Sequence, residues 1–335
     1  MHRLQALDIL QSAQRIGIVR TDRLGDMILT LPLADALKQR FPAASVEMIA
    51  RRYAAPCIEN LRCVDAIHFT DEQPVDSLLR AHRFDALFFP RITLAECRAA
   101  WSAGVPLRIG SAFRWYSPLL LSYRIRDHRK TAAYHEAEYN VRMLSAITGE
   151  HMPPRLVAPA LDPASVQSVN RILSDYGIAR GERFIVIHPG SGGSAKDWQP
   201  ENMGIAASTV ARRHGVRVVL TGIESERDLC LRAAEHCDGA VNLCGRLTLR
   251  QMIVLLERSA LLVANSTGTL HIAAALGTPV VGLYPNSPAI SAHRWGPYSF
   301  AARVVSPPDQ PTATRDDMTY ISMDDVLRAM DELLA

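Results

Sequence analysis

The sequence predicts an α/β protein of two doubly wound, Rossmann-like domains, and three observations carry that prediction. Short apolar runs alternate with amphipathic stretches through both halves of the chain, as in a βαβ series. The alternation breaks once, over the Pro-, Ala-, Asp- and Ser-rich segment 152–165. A length of 335 residues suits two domains, each large enough to bury a full core. Such alternation implies parallel sheets covered on both faces, with loops at the strands' carboxyl ends forming a site in a central cleft.

Each element follows in order. RIGIVR (15–20) is a strand, DMILTLPLADALKQRF (26–41) carries apolar residues at helical spacing, and SVEMIA (45–50) is the second strand. DAIHFT (65–70), DALFFP (85–90) and LRIG (107–110) read as further strands, with a helix over 92–103. After the linker, RFIVIHPG (183–190) is a strand running into a Gly-rich loop. RVVLTG (217–222), AVNLCG (240–245), ALLVAN (260–265) and PVVGLY (279–284) follow, with helical spacing over 200–214, 225–236, 248–258 and 268–277. The tail, 322–335, is an amphipathic helix with Ser322 as its N-cap.

Composition narrows the class of function. An apolar fraction of 48% excludes wholesale disorder, and 19 Gly with 20 Pro exclude a collagen-like or low-complexity chain. A net charge of +3 is not of nucleic-acid scale. Cutting at residue 150 leaves 20 basic against 16 acidic residues before the cut and 17 against 18 after it, so the first half is the one suited to an anionic partner. The six cysteines show no CxxC pair and no zinc-finger spacing, and are expected to be reduced, mostly buried thiols. No run of 18 uncharged apolar residues and no cleavable leader is visible, so a cytoplasmic protein is expected.

Three loops are suited to chemistry. In TDRLGD (21–26), Gly25 permits a tight turn and Asp26 begins the next helix, where it is either an N-cap or a carboxylate that takes a proton from a hydroxyl. The full GxGxxG pattern is missing, which disfavours a nicotinamide dinucleotide. In HPGSGGSAKDW (188–198), Ser191 and Gly192 lie among small residues whose backbone N–H groups suit a phosphate, and Lys196 adds a cation. In STGTLHIAAALGTP (266–279), Ser266 or Thr267 caps a helix whose first turn suits a diphosphate, with His271 close behind.

Together these residues resemble glycosyltransferase family 9, the lipopolysaccharide heptosyltransferase family with the GT-B fold, over nearly the whole chain. RIGIVRTDRLGDMILTLPL resembles the family's opening strand and Gly-Asp loop, HPGSGGSAKDWQPEN its His-Pro-Gly loop with Lys-x-Trp, and TGIESER its Gly-x-x-x-Glu-Arg turn. NSTGTLHIAAALGTPVVGLY resembles its nucleotide site, and RWGPY (294–298) and DDMTYIS (316–322) match two later landmarks.

The resemblance implies an inverting, metal-independent transfer from a nucleotide diphosphate donor, usually ADP-heptose, to a lipopolysaccharide or similar glycan acceptor. No cofactor is implied, since the donor is a substrate. Asp26 matches the catalytic base, and Lys196 the cation at the leaving diphosphate. Thr267, Gly268 and His271 fall at the phosphate site, while Glu226, with Glu224 one register slip away, matches the ribose-binding acid. The implied domains are an acceptor domain (1–160), a donor domain (165–320) and a C-terminal helix (321–335) packing back on the first.

Where the family has Asp-Thr/Ser-Gly, this chain has Ser266-Thr267-Gly268, which leaves the donor sugar open. Segment 108–130 holds six basic residues and one acid. It is either a solvated face or, with Arg23, Arg114, Arg124, Arg126 and Lys130, an acceptor-binding surface. Leu119, Leu120 and Leu121 are either core or a contact with the cytoplasmic face of the inner membrane. The rival functions are a transferase with another nucleotide sugar or a protein acceptor, a nucleotide-sugar epimerase or hydrolase, and a non-catalytic binding protein.

Overall fold

A computed structural model describes residues 1–193, 196–308 and 316–335. The chain divides into two compact units, Met1–Ala160 and Leu161–Ala335. Each holds one six-stranded parallel sheet.

In unit 1 the strands are β1 (Arg15–Val19), β2 (Ser45–Ala50), β3 (Ala66–Phe69), β4 (Ala86–Phe89), β5 (Leu107–Ser111) and β6 (Tyr123–Ile125), in the spatial order β3-β2-β1-β4-β5-β6. In unit 2 they are β7 (Phe184–His188), β8 (Arg217–Leu220), β9 (Val241–Asn242), β10 (Leu261–Asn265), β11 (Val280–Leu283) and β12 (Ala302–Val305), in the order β12-β11-β10-β7-β8-β9. Both sheets start at the centre and reverse once. The reversal falls between β1 and β4, where Ile18 faces Phe88, and between β7 and β10, where His188 faces Ala264. Loops leaving these strand pairs therefore open at the switch points, the sites where such sheets bind ligands. β7 and β10 are buried along their whole length, which is why they read as unbroken apolar runs.

Several elements differ from expectation. The stretch 26–41 is two helices, Leu24–Ile28 and Leu31–Arg40, because Pro32 lies at the start of the second and has no N–H to continue the first. The helix Pro163–Asp175 begins inside the expected linker, with the Asp162 carboxylate accepting from the Ser165 N–H at 2.9 Å. The helices Arg3–Ser12, Val75–His82 and Glu136–Thr148 and the edge strands β6 and β12 were not foreseen.

The C-terminal helix, Met323–Leu334, starts after Ser322 as expected. Val326, Ala329, Met330 and Leu334 form its buried stripe and join Ile185, Val263 and Val281 in the core of unit 2. Asp331 fixes it further, pairing with Arg213 at 2.7 Å and His214 at 2.8 Å.

Candidate functional site

Arg20 and the loop 20–23 follow β1. Arg23 stands at the N-cap of the helix Leu24–Ile28 without making a capping bond, and Asp26 is that helix's third residue, so the capping role considered for Asp26 is not the one it plays. Its carboxylate pairs with the Arg20 guanidinium. Arg20 is buried and also lies 2.7 Å from Asp22, a charge contact rather than an aligned hydrogen bond. Burial pushes the Asp26 carboxyl up to about 6, Arg20 opposes the shift, and Asp22 and Glu136 add to it. A carboxylate near neutrality at a sheet's switch point is suited to accept a proton.

Neighbours hold this loop in place. Thr21 donates to Glu96 at 2.6 Å, while Thr30 donates to the Asp26 carbonyl at 2.8 Å. Asn140 donates to the Leu29 carbonyl at 2.8 Å and accepts from Arg129, which pairs with Glu136. Arg20, Asp22, Arg129 and Asn140 were not read from the sequence. Only the TDRLGD run gave a signal for Asp22, and nothing marked the helix bearing Asn140.

In unit 2, Gly192 and Gly193 have φ of +58° and +70°, which only glycine adopts at little cost. The Gly192 N–H is already spent, donating to Glu226 at 2.9 Å, which corrects the expectation that it faces a phosphate. Ser191 is buried and bonds to Asp197, whose carboxyl burial raises and this bond lowers. Lys196 is exposed and within charge range of Asp317. Ser194 and Ala195 of the same loop lie outside the described residues.

Glu226 and Glu224 separate cleanly. Glu226 is buried, its oxygens accepting from the Gly192 and Ile223 N–H groups at 2.9 Å each. A Cβ at Gly190 would come within 2.1 Å of it, so that glycine makes room for the carboxylate. His188 stands 3.9 Å away, with Thr221 on its other nitrogen at 3.0 Å, and burial holds its imidazole below the usual range. Glu224 is exposed and paired with Arg227.

At the end of β10, Asn265 donates to the Pro189 carbonyl at 2.6 Å and accepts from the Trp198 N–H at 3.0 Å, holding both ends of the Gly-rich loop. Sequence reading had not singled it out. Thr267 is the N-cap of the helix Gly268–Leu276 and makes no side-chain capping bond, against expectation. His271 is buried in the second turn. Ser266 bonds to Tyr284, whose phenol donates to the Trp295 carbonyl at 2.7 Å; with that proton spent, Ser266 is the donor.

Of the five basic residues proposed for the acceptor, two come together. Arg124 and Arg126 line a cavity of about 1020 Å³ in unit 1, with Arg3, Arg142 and Asp127. Arg23, Arg114 and Lys130 are exposed and do not line it. Leu121 is core, Leu120 packs partly against it, and Leu119 is exposed. Among the described residues, no three His, Cys, Asp or Glu side chains are grouped to hold a metal ion, and no helix is long and apolar enough to cross a membrane.

This arrangement can be set beside known proteins. Residues 79–321 match the profile of glycosyltransferase family 9 (heptosyltransferase). Lipopolysaccharide heptosyltransferase 2 of Salmonella typhimurium is 24% identical over 312 residues, covering 87% of each chain. The crystal structure of a family 9 glycosyl transferase from Veillonella parvula superposes with a TM-score of 0.85 at 19% identity, covering 96% of this chain and 97% of that one. ADP-heptose lipopolysaccharide heptosyltransferase II of E. coli superposes with a TM-score of 0.78 at 23% identity, covering 96% and 98%. The α/β GT-B fold is theirs, and the chain belongs to glycosyltransferase family 9 and is a glycosyltransferase.

Proposed function

We propose that the protein is an inverting heptosyltransferase that moves a heptose from ADP-heptose to a hydroxyl of a lipopolysaccharide inner core without a metal. The observation that carries this reading is Asp26, a carboxylate raised to about 6 at the switch point of unit 1. The names of the relatives, an ADP-heptose enzyme among them, support the donor and the acceptor.

Asp26 accepts the proton of the acceptor hydroxyl as that oxygen attacks the anomeric carbon. The bond from this carbon to the diphosphate breaks in the same displacement, which inverts the centre. Negative charge gathers on the leaving diphosphate, where Lys196 and the first-turn N–H groups after Thr267 and Gly268 stabilise it. The lack of a side-chain cap at Thr267 supports that role, since no capping oxygen competes with phosphate there. His271 follows in the same helix. Ser191 and Gly192 shape the neighbouring loop, and Glu226 offers its remaining lone pairs to the ribose. Arg124 and Arg126 meet anionic groups of the acceptor.

Ser266 favours a second reading, a transferase for a different nucleotide sugar. A neutral hydroxyl engaged with Tyr284 accepts from sugar hydroxyls more weakly than an anion would. Incubating the protein with ADP-heptose and heptose-deficient lipopolysaccharide tests the first reading, with incorporation of heptose and matched ADP release expected. ADP release that is independent of acceptor would make it a hydrolase. Inactivity with ADP-heptose alongside turnover of another nucleotide sugar would establish the second.

A further inference from the structure

The helix that bears Asp26 is short, and the break behind it disturbs the backbone ladder. The Thr30 N–H bonds to the Met27 carbonyl at 3.0 Å and the Leu33 N–H to the Thr30 carbonyl at 2.9 Å, three residues back rather than four. The Asp26 and Leu29 carbonyls thereby lose their usual helical partners, and side chains replace them. Thr30 donates its hydroxyl to the Asp26 carbonyl at 2.8 Å. Asn140 donates to the Leu29 carbonyl at 2.8 Å and to the Thr30 hydroxyl at 3.4 Å. Thr30 and Asn140 are fully buried.

Asn140 comes from the helix Glu136–Thr148, and its other end is occupied too. Its side-chain oxygen accepts from Arg129 at 2.9 Å, and Arg129 pairs with Glu136. An amide supplies both the donors and the acceptor that this position uses; a leucine supplies neither, and a carboxylate has no donor for Leu29.

The groups joined in this way also bear on the Asp26 carboxylate. Charged and titratable groups reach it from the loop after β1 (Arg20 and Asp22), from Tyr53, whose phenol donates to the Asp22 carbonyl, and from Arg129 and Glu136. Glu136 pushes the carboxyl up and Arg129 pulls it down, so the pair acts as two opposed charges held at one distance. We infer that Asn140 is a positioning residue for the base: its amide fixes the helix of Asp26 on one side and holds Arg129, with its partner Glu136, on the other. This rests on the reading of Asp26 as the base, and the titration of the carboxyl itself separates the two.

That titration is followed by carbon-13 NMR of aspartate side-chain carboxyls, assigned with Asp26→Asn, beside the pH dependence of kcat/KM with ADP-heptose and heptose-deficient lipopolysaccharide. Glu136→Gln removes a charge that raises the carboxyl, so the titration should move to lower pH. Arg129→Gln removes one that lowers it and leaves Glu136 unpaired, so the titration should move to higher pH. Asn140→Leu and Thr30→Val should lower kcat by up to about 10²-fold through misplacement of the base, with the Kd for ADP unchanged. Thr30→Ser, which keeps the hydroxyl, should restore the rate. A titration that stays in place in both charge variants, or moves the same way in both, would overturn the inference. So would native kcat in Thr30→Val alongside an inactive Asp26→Asn, and this near-isosteric change decides the matter even where Asn140→Leu does not fold. A titration that moves as expected without the kcat/KM limb following it would support the role of Asn140 and overturn the reading of Asp26 as the base.

Discussion

Arg20, the residue after β1, pairs its buried guanidinium with the carboxylate of Asp26, six positions on, and opposes the burial that raises the carboxyl, with Arg129 adding a smaller pull in the same direction. The pairing helps set the pH at which Asp26 ionises. With the carboxyl at about 6, Asp26 is protonated below that pH and a carboxylate above it.

The first prediction follows from that sign. kcat/KM should rise with pH through about 6 and level off above it. Arg20→Met removes the charge that lowers the carboxyl, so the rising limb should move to higher pH, and Arg20→Lys should move it back part of the way. A limb that stays in place in Arg20→Met would show that Arg20 does not tune the base.

Glu226 and Glu224 make a second, paired test. Glu226→Ala strands two N–H groups, those of Gly192 and Ile223, and should cost roughly 2 to 4 kcal/mol of unfolding free energy and loosen ADP binding. Glu224→Ala removes an exposed partner of Arg227 and should change neither readout measurably. Denaturant melts and calorimetric titration with ADP read both, and equal effects from the two variants would refute the distinction.

Asn265 carries the third prediction. Asn265→Leu keeps roughly the volume but removes the bonds to Pro189 and Trp198, leaving a buried carbonyl and a buried N–H without partners. A loss of about 2 to 4 kcal/mol is expected, with faster proteolysis of the Gly-rich loop. Native stability in this variant would mean that the loop does not lean on β10.

Much of the fold was legible because central parallel strands are buried on both faces and must be apolar throughout, as β7 and β10 are. β6 and β12 lie at sheet edges, are short and carry Arg124 and Arg303, so they leave no such trace. The same contrast runs through the site. Gly192 and Thr267 stand in loops, and Asp26 in the first turn after one, whose local composition advertises them. Asn265 acts on residues that only sheet order brings near: it reaches the 189–198 loop because β10 lies beside β7. Tyr284 could not be paired with Ser266 for a similar reason, since neighbouring strand ends, not sequence spacing, join them.

Metal removal gives the fourth prediction. Saturating EDTA should leave the transfer rate near its starting value, with Lys196 and the N–H groups after Thr267 carrying the diphosphate charge. Loss of the rate with recovery on adding Mg²⁺ or Mn²⁺ would require a divalent ion in the step.

Asp26→Asn tests the central claim most directly, by comparing turnover with donor affinity in one variant. The amide keeps the shape of the side chain but cannot take the acceptor proton, so kcat should fall by about 10² to 10⁴-fold while the Kd for ADP stays at its native value. Near-native turnover in Asp26→Asn would contradict the account, since the carboxylate beside Arg20 would then not be the base.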